Sequence, residues 1–153
     1  MFALNLPQAE LKISERGGKP VVFDFLRRKF VALTPEEFVR QEFTHYLAGS
    51  LGYPAALMGN EIELEASRKR RRCDTVVFSP AGTPLVIIEY KAPTVELTAA
   101  VFEQISSYNI ILHTPYIMVS NGMVHLCCRV DYDRHKYTFL KDIPRYDELN
   151  TQG

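Results

Sequence analysis

The stretch from Arg72 to Lys91 most constrains what this chain can fold into. Arg72-Cys73-Asp74-Thr75-Val76-Val77-Phe78 is followed by Pro80-Ala81-Gly82-Thr83, and then Leu85-Val86-Ile87-Ile88 runs into Glu89-Tyr90-Lys91. Two apolar runs around a turn-forming stretch read as an antiparallel hairpin. With Pro80–Thr83 as the loop, Thr75 faces Ile88 and Asp74 faces Glu89. Directly opposed residues hold their Cβ atoms about 4.5–5.5 Å apart. Lys91 lies two residues beyond Glu89 and shares its face. A slip of one residue would turn Asp74 to the other face. Two carboxylates and an ammonium thus meet at the end of a strand apolar on both faces, expected to be central. Opposed like charges destabilise a sheet, and a hard divalent cation would compensate them. The competing reading is a solvated charge pair. It is weakened because charges at the end of a buried strand need partners.

The 153 residues suffice for one domain with a real core, expected to span 1–153 with 1–19 as a lead-in arm and 142–153 as a polar tail. Eighteen basic and eighteen acidic residues cancel, so nucleic-acid affinity would need a local patch. Cys73, Cys127 and Cys128 have no metal-type spacing and no disulfide pattern, which fits a reducing cytoplasm. No signal peptide and no membrane-spanning stretch is expected.

Along the chain, Arg16-Gly17-Gly18-Lys19 reads as a turn, with short strands at Val21–Phe25 and Lys29–Leu33 around Arg27-Arg28. Thr34, Pro35 and Glu37 form a helix start with a capping box. Val39, Phe43, Tyr46, Leu47 and Leu51 form its buried stripe up to Gly52-Tyr53-Pro54. A weak strand is expected at Glu61–Ala66, a helix at Leu97–Leu112, and strands at Tyr116–Ser120 and Met123–Arg129. Asn121-Gly122 suggests a two-residue turn between those strands. Tyr137–Leu140 is a further short strand, and the tail from Asp142 is expected to fray. The order implies an α/β or α+β single sheet with helices packed on it.

Other residues could join the acidic pair. Glu36, Glu37 and Glu42 on the first helix could add a metal ligand, although Glu37 also serves the capping box. Gln104 and Tyr108 lie four apart on the second helix, where they could also simply pack. Arg68-Lys69-Arg70-Arg71-Arg72 runs directly into the Asp74 strand and could contact phosphates; as a basic run it could equally be a solvated loop. His45, His113, His125 and His135 have no ligand spacing and read as structural.

These residues resemble a known family. Arg72-Cys73-Asp74, Ile88-Glu89-Tyr90-Lys91-Ala92-Pro93 and Gln104-Ile105-Ser106-Ser107-Tyr108-Asn109 look like the PD-(D/E)xK nuclease superfamily. More narrowly they resemble the N-terminal nuclease domain of type I restriction enzyme R subunits. Thr34-Pro35-Glu36-Glu37, Val39-Arg40-Gln41 and Ser120-Asn121-Gly122 match that subgroup. The resemblance covers roughly residues 30–130. It implies a restriction-endonuclease-like mixed central sheet flanked by helices, and Mg²⁺-dependent cleavage of DNA, with Mn²⁺ as a substitute. Asp74 and Glu89 would be metal ligands and Lys91 the catalytic lysine. Gln104 and Tyr108 would match the family's Gln-x-x-x-Tyr element near the site. Glu37, or next Glu42, would complete the metal site, and Arg68–Arg72 would hold the DNA backbone. The family's large enzymes carry a helicase motor after this domain, and this sequence does not, so translocation is not expected of it. Cutting both strands of a duplex would need two sites, from a homodimer or from partner restriction or motor subunits. The rival expectation is a non-catalytic nucleic-acid-binding or assembly module that keeps the fold. An RNA-directed nuclease is a third.

Overall fold

The computed structural model describes residues 3–66 and 68–149. The side chains of residue 69 and of residues 108–111 are not among those described. Two sheets form where the sequence suggested one. Strands β1 (Ile13–Arg16), β2 (Lys19–Asp24) and β3 (Lys29–Ala32) make an antiparallel meander. The expected lead-in arm therefore contains a strand, which pairs with β2 through the Arg16–Lys19 turn.

Helix α1 (Pro35–Ser50) follows, capped by the Thr34 hydroxyl, which accepts the Glu37 backbone N–H at 3.1 Å. Its stripe of Val39, Phe43 and Leu47 is fully buried, whereas Tyr46 is only half-buried. The large sheet then runs in the order β4 (Met58–Ala66), β5 (Lys69–Phe78), β6 (Pro84–Tyr90), β7 (Tyr116–Ser120), β8 (His125–Asp131), β9 (Lys136–Leu140). All neighbours are antiparallel except β6 and β7, which are parallel. Helix α2 (Ala99–Leu112) supplies the crossover that a parallel pair requires. The helix order and mixed sheet agree with the expected class.

β6 is central and deeply buried, as its apolar run implies. One cluster sits between the sheet and α1, built on Phe43, Leu47, Val77, Val86, Ile88 and Tyr90. Another packs Phe102 and Ile105 of α2 on Ile117, Val119 and Cys128.

Three expectations need correction. The basic run is no loop, because Arg70–Arg72 lie on β5 beside the glutamates of β4. Asn121-Gly122 does not make a two-residue turn. Residues 121–124 form the connection, closed by Asn121 Oδ1 accepting the N–H groups of Met123 and Val124 at 2.9 and 2.8 Å. The tail does not fray as far as residue 149: Tyr146 donates to the Phe78 carbonyl at 3.0 Å, Tyr53 to the Pro144 carbonyl at 2.8 Å, and Leu149 is buried.

The residues before β1 also dock. The Asn5 N–H donates to the Gly122 carbonyl at 2.8 Å, and the Asn5 carbonyl meets His125 Nε2 at 2.8 Å. Gly122 has φ +87, and a Cβ there would lie 2.8 Å from Leu4, so glycine is needed both for the turn and for the close approach.

Candidate active site

The β5–β6 register is the one the sequence implied. Thr75 pairs with Ile88 and Val76 with Ile87, so the next step along the ladder puts Asp74 opposite Glu89. The carboxyl groups of Asp74 and Glu89 are in hydrogen-bond contact. One Asp74 oxygen, Oδ2, accepts the Tyr90 backbone N–H at 2.9 Å, which fixes the side chain across the strand pair. Burial first, then the neighbouring Asp74, push the Glu89 carboxyl up to about 8. Arg71 offsets part of this, with its guanidinium 3.3 Å from Glu89 Oε1.

Lys91 stands one residue past β6. Its backbone N–H donates to the Ser120 carbonyl at 2.9 Å, which extends the β6–β7 pairing by one bond. The loop beyond it is held by Asn121 Nδ2, which donates to the Val95 carbonyl at 2.8 Å. Ser120-Asn121-Gly122 thus works as a bracket around Lys91. The ammonium itself has no ion pair or hydrogen bond among the described residues. Asp74 and Glu89 lie side by side, and Lys91 follows two residues beyond Glu89 at the end of β6.

Glu37 is not brought to the pair. Its Oε1 accepts from Arg27 at 2.6 Å and from Arg40 at 2.7 Å, and its Oε2 accepts from Arg40 at 3.0 Å and Gln41 at 3.1 Å. These donors hold its carboxyl below the usual range in spite of burial. No group of three His, Cys, Asp or Glu is placed to share a cation among the described residues. Glu42 instead accepts the Ala9 backbone N–H at 3.1 Å, and Glu36 is exposed. Gln104 is exposed on α2, and its side chain makes no hydrogen bond to the acids among the described residues. The side chains of Tyr108 and Lys69 lie outside the described residues. In the basic run, Arg70 lies 3.6 Å from both Glu63 and Glu65, and Arg72 lies 3.6 Å from Glu61.

Arg40, which the sequence offered only as part of Val39-Arg40-Gln41, has a role that sequence reasoning did not assign. Its Nη1 donates to the Asp74 carbonyl at 3.0 Å and to Glu61 at 2.9 Å, while its other nitrogens hold Glu37. Arg40 is buried, so these bonds lock α1 onto β5 beside the acidic pair. Glu61 reaches Arg40 from β4 with φ +56, a left-handed backbone that is uncommon outside glycine. Glu37 and Arg40 are three apart on the helix, which is pairing distance and was legible in principle. A second chain runs from Tyr90 Oη to Thr75 Oγ1, then to Asn60, and from Asn60 Nδ2 to Asp24. Asp24 is in turn bonded to Arg27. The small sheet, α1 and the acid-bearing strands are therefore one polar unit.

A mixed sheet with helices packed on it thus carries two opposed carboxylates at the end of its central strand. The model of the family described as type I restriction enzyme R protein N terminus matches residues 35–144. The chain belongs to that family. A solved fragment of a putative HsdR subunit of a type I restriction enzyme from Vibrio vulnificus YJ016 has a similar fold, with a TM-score of 0.54 at 19% identity. The likeness covers 76% of this chain and 24% of that one, so the chain spans about a quarter of that fragment. No curated protein matches the chain. No helix among the described residues is long and apolar enough to cross a membrane.

Because its carboxyl pKa is raised from the ordinary 4.5 to about 8, Glu89 makes stability pH-dependent. Between those values the folded state holds a proton that the unfolded state releases. Stability is then full below about 4.5 and is lost as pH rises through about 8. In EDTA the melting temperature should fall between about pH 5 and about pH 9, and the fall should be smaller in Glu89→Gln. Parallel curves for the two proteins would remove Glu89 as the source.

Proposed function

We propose that the chain is a metal-dependent endonuclease domain of restriction-enzyme type, acting on DNA. The observation that carries this reading is the Asp74–Glu89 pair with Lys91 at the end of β6. The donor set suits Mg²⁺ or Mn²⁺: both groups are oxygen ligands, they repel each other when ionised, and Mg²⁺ keeps several waters rather than needing a full protein cage. Asp74 and Glu89 would hold the ion, which supplies charge neutralisation at the phosphate and a more acidic water.

The chain's own groups do the rest. The Tyr90 N–H and the Arg40 contact to the Asp74 carbonyl keep Asp74 in place. The Lys91 ammonium orients the attacking water and offsets the charge that develops on the phosphoryl oxygens. The contacts of Arg70 and Arg72 to glutamate are long and exposed, and such pairs contribute little, so a DNA phosphate can replace the carboxylates. Glu37 supports the site through Arg40. A duplex cut on both strands calls for a second site, from another copy or from partner subunits of a restriction system.

The test is conversion of supercoiled plasmid to nicked or linear form with Mg²⁺, with Mn²⁺ and with EDTA. Cleavage with either metal and none in EDTA is the expected result. DNA binding without cleavage under both metals would replace this reading with a binding or assembly module.

A further inference from the structure

The chain's net charge is zero, yet its cations are not evenly neutralised. Every described arginine of the β5 run from Arg70 to Arg72 has a glutamate beside it. The small sheet is different. Lys12, Arg16, Lys19, Arg28 and Lys29 are all exposed, and none pairs with a carboxylate among the described residues.

The register sorts these residues by face. Val22 and Asp24 of β2 point inward and are fully buried. Alternation then puts Lys19, Val21 and Phe23 on the outer face. Arg16 is opposite Lys19, Ser14 opposite Val21, and Phe30 opposite Phe23. Glu15, paired with Pro20, falls on the other side. The outer face of the meander therefore carries Lys12, Arg16 and Lys19 with two phenylalanines and no carboxylate. The rings meet edge to face at 5.4 Å. Lys12 Nζ lies 5.5 Å from the Phe23 centroid, and the Arg16 guanidinium lies 4.5 Å from that of Phe30. Cation–π contacts hold both cations over the sheet without neutralising them.

The opposite, inner side of the meander is tied to the acid-bearing strands. The turn between β2 and β3 carries Arg28 and ends in Lys29, and its Arg27 joins Glu37, which joins Arg40, which holds the Asp74 carbonyl. We propose that the outer face of the β1–β3 meander is the nucleic-acid-holding surface, where Lys12, Arg16 and Lys19 take successive phosphates of a DNA backbone. The occupant follows from the chemistry. Unpaired cations spaced along a sheet fit a line of phosphates. The inference rests on the nuclease reading for its substrate, but not on cleavage.

The test is fluorescence anisotropy of labelled duplex and single-stranded DNA in EDTA, so that no cleavage intervenes. The triple variant Lys12→Glu, Arg16→Glu, Lys19→Glu should bind at least about tenfold more weakly, with a salt slope lower by about 0.9 per lost phosphate contact. The Arg70→Glu, Arg72→Glu variant should lose less. Mn²⁺ affinity of the triple variant should match wild type, and thermal melting should fall only by the loss of two exposed cation–π contacts, since all three residues are exposed. Equal DNA affinity in the triple variant and wild type overturns the proposal and leaves the nuclease reading intact. Absence of DNA affinity in the wild type, or binding to anionic phospholipid vesicles without DNA binding, also overturns it. DNA affinity lost in the triple variant of a protein that never cleaves plasmid keeps the surface and rejects the nuclease.

Discussion

Lys91→Ala is expected to reduce metal-dependent DNA cleavage by about 10²–10³-fold, the cost of removing one group that stabilises developing charge. It should hold Mn²⁺ as tightly as wild type. The reason is the division of labour at the end of β6. Lys91 is anchored through its backbone to Ser120, and its ammonium engages nothing among the described residues. Removing it costs no buried partner. Asp74 differs, since one oxygen is bonded to the Tyr90 N–H and its carboxyl meets Glu89. Asp74→Asn should therefore lose both cleavage and Mn²⁺ affinity. Single-turnover cleavage and calorimetric Mn²⁺ titration separate the two variants. Full cleavage by Lys91→Ala would remove the lysine from the mechanism, and unchanged Mn²⁺ affinity in Asp74→Asn would move the metal elsewhere.

Glu37→Gln should destabilise the protein far more than its exposed neighbour Glu36→Gln does. Glu37 is the shared partner of Arg27 and Arg40, whose side chains are only 16% and 9% exposed. Removing its charge takes the shared counter-ion from both, leaving Arg27 with Asp24 alone and Arg40 with Glu61. Because each arginine keeps a second carboxylate, the cost lies at the lower end of that for a broken buried pair, about 3 kcal/mol, which for a domain of this size lowers the melting temperature by roughly 6–12 °C. Glu36→Gln, one residue away and exposed, should stay within about 0.5 kcal/mol. Differential scanning calorimetry of both variants decides it. A Glu37→Gln protein that melts like wild type but loses Mn²⁺ affinity would make Glu37 a ligand instead of an arginine partner.

The central hairpin was legible in the sequence because its information is local. The apolar run Leu85–Ile88, the turn ending at Gly82 and the alternation around Val76 agree on one register, and that register fixes Asp74 against Glu89. The Thr34 cap is local in the same way. What escaped the sequence was set by partners far along the chain. Ile13-Ser14-Glu15-Arg16 has no apolar alternation and is exposed along its whole length, so only its pairing with β2 makes it a strand. Five consecutive basic residues look like a loop until Glu61, Glu63 and Glu65 arrive from β4. The tail looks polar until Tyr146 finds the Phe78 carbonyl. Glu37 carries a legible cap role, but its carboxylate is committed by Arg27, from a turn ten residues earlier.

The strap at Asn5 bears on the order in which the chain folds. Asn5 meets Met123 across a separation of 118 residues, and it binds the β7–β8 turn, which must exist first. Closing so long a loop gains nothing until its target is built. The β5–β6 and β7–β8 hairpins are local and can form early, whereas the first residues dock last. The same segment should open first when the protein begins to unfold, which makes it the earliest site of hydrogen exchange and protease attack.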